Sequence, residues 1–301
     1  MNRFHPLHHL IAACIVLVWG CTFVAIRLGL ETLPPIFLTF LRFLFCAVPA
    51  IFFLRPPPLP WYQVIAYGVA NFACQFGFLF SAMHLGVSPG LASVVLQVQA
   101  FITIALGALL LGDRPSRTQA MGAMVAFSGL VVIACNLGGD MPLPGLFLML
   151  LAACSWAGGN IISKGFKVQI DALALVAWGA LAAAPVILLM SLLLEGPTRI
   201  GNAMQQADWT TVGSVAYLGY ASTLVGYSLW NFLLRHYPVP MVAPLTLLVP
   251  IVGMGSSALL LGEPMQRWKL LATALIILGL AVNMFGGMLL KHLGRQAHKQ
   301  D

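Results

Sequence analysis

Ten long apolar runs, separated by short polar joints, make up almost the whole chain. They cover residues 10–30, 35–54, 61–83, 89–111, 119–137, 143–163, 172–194, 209–234, 239–261 and 268–290. Each holds roughly 20 mostly apolar residues, the length a helix needs to cross a hydrocarbon layer about 30 Å thick. The runs are continuous, whereas membrane barrel strands alternate over about ten residues, so the pattern predicts helices. Turn chemistry marks the joints: Pro34-Pro35, Pro56-Pro57-Pro58, Gly112-Asp113-Arg114-Pro115, Gly138-Gly139-Asp140 and Gly262-Glu263-Pro264. The longest joint, 195–208, is too short for a soluble domain. The first run exceeds the roughly 7–15 residues of a signal-peptide core, and 27–35 offers no A-x-A cleavage site, so it reads as a retained helix.

Composition agrees. The chain is 60% hydrophobic and 8% charged, with a mean hydropathy of +0.94. Soluble domains carry roughly 25% charge. A soluble fold and a disordered chain are both excluded, which leaves an all-α integral membrane protein.

The basic residues then set the orientation. Arg3, Arg55, Arg114, Arg117, Lys164, Lys167, Arg235, Lys291, Arg295 and Lys299 fall on one side, against Arg27, Arg199, Arg267 and Lys269 on the other. The richer side is expected in the cytoplasm, together with both termini and a short basic tail from 291. Glu31, Asp140, Glu195, Asp208 and Glu263 fall on the opposite side. The net charge of +7 is therefore a topology signal, and without a basic patch interleaved with aromatics it does not suggest nucleic acid. The six cysteines all lie inside the runs, without a C-x-x-C pair, and read as small buried apolar residues. No metal, nucleotide or other cofactor is expected, and no catalytic residue: there is no Walker A loop, G-x-S-x-G elbow or H-E-x-x-H.

The chain also resembles itself. Leu109-Leu110-Leu111-Gly112-Asp113 recurs as Leu259-Leu260-Leu261-Gly262-Glu263, and the register continues through Arg117/Arg267 and Gly129-Leu130/Gly279-Leu280. Trp19 matches Trp156 at a slightly shorter offset. Residues 1–137 and 138–301 thus read as two five-helix repeats. Five is odd, so the second must enter the membrane upside down. Inverted repeats are a recurrent design of secondary transporters, with the substrate at the midplane between the halves.

Several stretches resemble a known family. They are Trp19-Gly20 with Thr22-Phe23-Val24; Leu41-Arg42-Phe43; the block from Gly90 to Phe101 containing Leu96-Gln97-Val98-Gln99-Ala100; Ser155-Trp156-Ala157-Gly158-Gly159-Asn160; and Ala243-Pro244-Leu245-Thr246 running to Pro250. They are similar to the EamA family of the drug/metabolite transporter superfamily over nearly the whole chain. The resemblance implies export of small amino-acid metabolites, such as cysteine or O-acetylserine, across a bacterial inner membrane. Another small metabolite or drug, or a membrane sensor or scaffold without transport, is the alternative. The expected partners are an amino-acid-like substrate and the bilayer; the oligomeric state is open, and a monomer is compatible.

Polar residues inside the runs are the substrate-binding candidates, because hydrocarbon makes them expensive. Arg42 sits about eight residues into the second run. Its guanidinium is either a bidentate clamp for a substrate carboxylate or a side chain that snorkels outward or pairs with Glu31. Trp178 aligns with it in the second half. Gln97 and Gln99, two apart, should point to different sides, one to the cavity and the other to a neighbouring helix. Asn71 and Gln75 share a face and read better as helix-to-helix hydrogen bonds. His84, at the outer end of the third run, is either a proton carrier or a wetted helix end. Trp156, Trp178, Tyr227 and Trp230 line a cavity or merely pack; Asn160 and Asn231 suit gate or helix-bonding positions. Pro49, Pro185, Pro244 and Pro250 are hinge candidates for alternating access, although static bends fit equally. No acid lies deep in any run, so proton coupling lacks an intramembrane carboxylate.

Overall fold

The computed structural model describes residues 5–237 and 239–297, with side chains for all of these except 239, 240 and 288–297. Arg3, His298 and Lys299 lie outside the described residues, as do the side chains of Lys291 and Arg295. Among the described residues the architecture is all-helical, with one isolated bridge between Gly138 and Met141.

Ten long helical runs follow the hydrophobic pattern. They are α1 (Pro6–Gly29), α2 (Pro35–Ile51), α3 (Trp61–His84), α4 (Pro89–Leu111), α5 (Arg117–Ala134), α6 (Leu143–Lys164), α7 (Ala172–Leu194), α9 (209–236), α10 (239–261) and α11 (Arg267–Ala297). Eight are long and apolar enough to cross a membrane. Of the others, α2 is apolar but only 17 residues long. The middle of α9 is diluted by Tyr217, Tyr220, Ser222, Thr223 and Tyr227. A short amphipathic helix, α8 (Pro197–Gln205), fills the longest joint, burying Ile200 and Ala203. The pattern missed it because nine residues give too short a window. Four boundaries also move by three residues or more: α1 begins at Pro6, α2 ends at Ile51, α5 ends at Ala134, and α11 runs to Ala297.

Four of these helices are irregular at matching places. A π-helical segment occupies Val69–Cys74 in α3, and another Tyr217–Val225 in α9. A 3-10 turn occupies Leu96–Val98 in α4, and another Ala243–Leu248 in α10. Pro244 lies in that last segment and Pro250 in the first turn that follows it, whereas Pro49 and Pro185 sit inside α2 and α7.

Packing relates the halves by exchange. The pair α1–α10 has its counterpart in α6–α4, α3–α6 in α9–α1, and α3–α7 in α9–α2. The pairs α2–α7, α4–α10 and α5–α11 are their own counterparts. In the last pair the backbones nearly touch. A Cβ on Gly279 would strike the carbonyl oxygen of Gly122, and one on Gly122 the carbonyl of Gly279. Helices α4 and α10 end alike, on glycines in the left-handed region, Gly112 at φ +72° and Gly262 at φ +67°.

Part-buried carboxylates tie one end of the bundle. The N-termini of α2 and α4 have no side-chain cap of their own. Glu195, at the end of α7, accepts from the amides of Ile36 (2.7 Å) and Phe37 (2.9 Å). Glu263, after α10, accepts from the Gly90 amide (3.0 Å), the Ser88 hydroxyl (2.5 Å) and the Ser257 hydroxyl. Both acids fill orphan donors of a helix start. Lys269 completes the second group: its Nζ lies 2.9 Å from Glu263 and 2.7 Å from Asp140, and its side chain is fully buried. Counted by sequence among the joint charges, Lys269 is a second buried cation beside Arg42. At the opposite end the ion pairs Lys164–Asp113 and Arg235–Asp171 are about half exposed or more.

Candidate functional site

A cavity of about 320 Å³ lies between the halves, lined from α1, α2, α3, α4, α6, α9 and α10. That volume is at the small end of the range for small-molecule sites, roughly 300–1,000 Å³. The irregular segments supply much of its wall. Asn71 comes from the π-helical part of α3, Ser222 from that of α9, Gln97 from the 3-10 turn of α4 and Thr246 from that of α10. Where a helix departs from α geometry, side chains are re-aimed and backbone groups loosened, which is why such turns gather at ligand sites.

Arg42 is the one charged side chain lining this cavity among the described residues. It is 3% exposed. Its Nη2 reaches the Ser222 hydroxyl at 3.4 Å, and its guanidinium lies over the rings of Phe76 (4.2 Å) and Phe43 (5.3 Å). Its Nε and Nη1 have no hydrogen-bond partner. Glu31, the partner considered from sequence, is exposed, so neither snorkelling nor that ion pair describes Arg42. Asn71 is 5% exposed, and its Nδ2 is likewise without a partner. Gly159 makes room for this amide: a Cβ there would collide with it.

Around these donors stand neutral groups. Thr22 donates to Ser222 at 2.9 Å, and the Trp19 indole N–H donates to the Ser222 carbonyl at 3.1 Å. Asn160 donates to the Gln99 side chain at 3.1 Å and to Thr103 at 3.2 Å. Trp19 packs edge-on against Tyr227 at 5.6 Å and tilts against Trp230 at 5.3 Å. The site is thus an unpaired cation among apolar rings and amides, with buried donors that no protein group satisfies.

The chain matches the model of the EamA-like transporter family at residues 7–135 and again at 143–285. It belongs to that family. The EamA-family chain is 44% identical over 281 residues to a probable amino-acid metabolite efflux pump of Salmonella typhimurium, covering 92% of this chain and 94% of the relative. It is 42% identical over 281 residues to a probable amino-acid metabolite efflux pump of Escherichia coli K12, with the same coverage. A solved crystal structure, 21% identical and covering 96% of this chain and 99% of the other, shares the fold with a TM-score of 0.64. The protein is thus a multi-pass membrane transporter and not an enzyme.

Most sequence candidates of this EamA-family transporter converge on the cavity: Arg42, Gln97, Gln99, Trp156, Asn160, Tyr227 and Trp230 all line it. Three stand elsewhere. His84 is not a lining residue; it meets Arg199 at 3.2 Å at the exposed end of α3. The Trp178 indole donates to the Leu54 carbonyl at 3.0 Å and packs on Trp61 near the start of α3. Asn231 keeps an unpartnered buried amide outside the cavity lining. Gln97 and Gln99 both line the cavity, and Gln99 also bonds the neighbouring helix α6 by accepting from Asn160, the pairing expected of one of the two. Asn71 and Gln75 line it too, and do not bridge helices as their spacing suggested. Trp19, Thr22, Tyr67, Phe76, Ser222 and Thr246 were not singled out. Trp19, Thr22 and Thr246 had appeared only within the stretches that resemble the family, and Trp19 also in the match with Trp156. Cys14, Cys135 and Cys154 are exposed on the bundle surface, not buried.

Proposed function

We propose that this transporter exports small amino-acid metabolites, cysteine or O-acetylserine among them, across a bacterial inner membrane by alternating access between two inverted five-helix repeats. In this reading ten helices span the bilayer, residues 1–137 and 138–301 form the repeats, and both termini are cytoplasmic. The relatives' names support the export of amino-acid metabolites. The exchange of helix pairs between halves supports the repeat.

One observation carries the substrate reading: a buried, unpaired guanidinium in a small cavity between the halves. A carboxylate gripping Arg42 end-on takes Nη1 together with Nη2, and charge-assisted pairs of this kind are the strong ones. The closed carboxylate clusters at Glu195 and Glu263, against the exposed ion pairs at the other end, support a resting state that faces the Asp113 side. With the basic joints placed in the cytoplasm, that state faces inward, ready to load. Pro49, Pro185, Pro244 and Pro250 stand where helices would flex between states. No carboxylate lines the cavity among the described residues, so facilitated efflux down the substrate gradient fits better than proton exchange through an intramembrane acid.

Flux through the purified protein in liposomes is the test. Labelled cysteine and O-acetylserine should cross with saturation, with or without a pH gradient. Absence of flux for every small amino acid tried overturns the reading.

A further inference from the structure

Among the described residues Arg42 is the only charge lining the cavity, and the acids are spent elsewhere. Glu195 and Glu263 cap α2 and α4, while Asp113, Asp140 and Asp171 lie in ion pairs at the bundle ends. Asp208 caps α9 through Thr211, and Glu31 is exposed. A substrate ammonium would therefore enter a site that already holds a buried cation and offers no anion. Aromatic faces at Trp19, Tyr227 and Trp230 attract a cation only modestly, whereas moving one out of water is costly. Of the polar atoms fully buried at the cavity, moreover, those without a partner are donors: Arg42 Nε and Nη1, and Asn71 Nδ2. An ammonium is itself donor-only and leaves Asn71 unsatisfied. A carbonyl oxygen satisfies it.

We propose that the cavity recognises a carboxylate on Arg42 and a second acceptor oxygen on Asn71, and needs no amino group. The substrate class is then small monocarboxylates bearing a carbonyl or hydroxyl oxygen, N-acylated amino acids and 2-hydroxy acids included. Free amino acids are tolerated zwitterions, and net cations are excluded. This rests on the transport reading above and deepens it. Deleting a buried donor that a neutral ligand acceptor uses shifts affinity about three- to tenfold. Deleting the guanidinium costs more than tenfold for every carboxylate.

The test uses the full chain in two assays. In liposomes, N-acetylcysteine, lactate, cysteine methyl ester and lysine compete against labelled cysteine. In detergent, the same compounds are scored by the shift they cause in the thermal midpoint. N-acetylcysteine should compete at least as well as unlabelled cysteine, lactate should compete, and the methyl ester and lysine should fail. Asn71→Ala should cut the preference for N-acetylcysteine over cysteine about three- to tenfold. If cysteine is carried but N-acetylcysteine and lactate neither compete nor stabilise, the amino group is required: the proposal falls and the export reading stands. If nothing is carried yet N-acetylcysteine stabilises the protein and the methyl ester does not, export falls and the recognition rule stands. An Asn71→Ala protein with unaltered preference overturns the second contact.

Discussion

Two buried cations behave oppositely. Arg42 is desolvated without an anion, whereas Lys269 sits between Glu263 and Asp140. Removing one partner of a buried ion group leaves uncompensated charge and costs about 3–5 kcal/mol, whereas removing an unpaired charge relieves a penalty. Lys269→Met should therefore lower the thermal midpoint in detergent sharply. Arg42→Gln should leave the midpoint unchanged or raise it, yet cut carboxylate transport more than tenfold. A fall in stability for Arg42→Gln would mean that the guanidinium is structural. Glu263 adds a pH dependence. Burial pushes its carboxyl up, but hydrogen bonds from Ser257, Ser88, Lys269 and Gly90 outweigh this and hold it below the usual carboxylate value. A depressed folded value means that its contribution is full above the ordinary carboxylate range, near 4.3, and is lost as the pH falls through the depressed value. Thermal midpoints of wild type and Glu263→Gln should thus be well apart at pH 7 and converge in acid.

At the scale of elements, regular helices were legible and their irregularities were not. A hydrophobic run sets a span's length, but a π-helical segment at Val69–Cys74 leaves the run equally apolar. Only the structure shows that Asn71 and Ser222 are turned into the cavity by such segments. Arg42, Gln97 and Gln99 were found because polarity in hydrocarbon is visible residue by residue. His84 and Trp178 show the limit of that signal, since a polar or aromatic residue near a helix end is satisfied locally as easily as by a ligand. Capping was hidden for another reason. Glu195 serves amides 158 and 159 residues away, so no local motif announces it. Glu195→Ala should destabilise the fold by about 1 kcal/mol, the usual worth of a cap, read as a lower thermal midpoint with substrate binding retained. At the α5–α11 crossing, Gly279→Val drives a side chain into the backbone at Gly122 and Ala126. Overpacking of this kind costs about 1–3 kcal/mol or more, and the expected readout is lost monodispersity in detergent.

Across the whole molecule, each half supplies what the other lacks. The cavity takes Arg42 and Asn71 from the first half and Ser222, Tyr227 and Trp230 from the second. Among the described residues the long-range caps run one way: α2 and α4 of the first half receive Glu195 and Glu263 of the second. This direction governs synthesis. As the chain emerges from the ribosome, α2 and α4 are made long before residues 195 and 263 exist, and their leading amides must find other acceptors in the meantime. The first five helices on their own are therefore an unfinished assembly, and the bundle locks only after α10 has been translated. A nascent chain arrested before Glu263 should remain open to protease at the Ser88 joint, and one arrested after Lys269 should not.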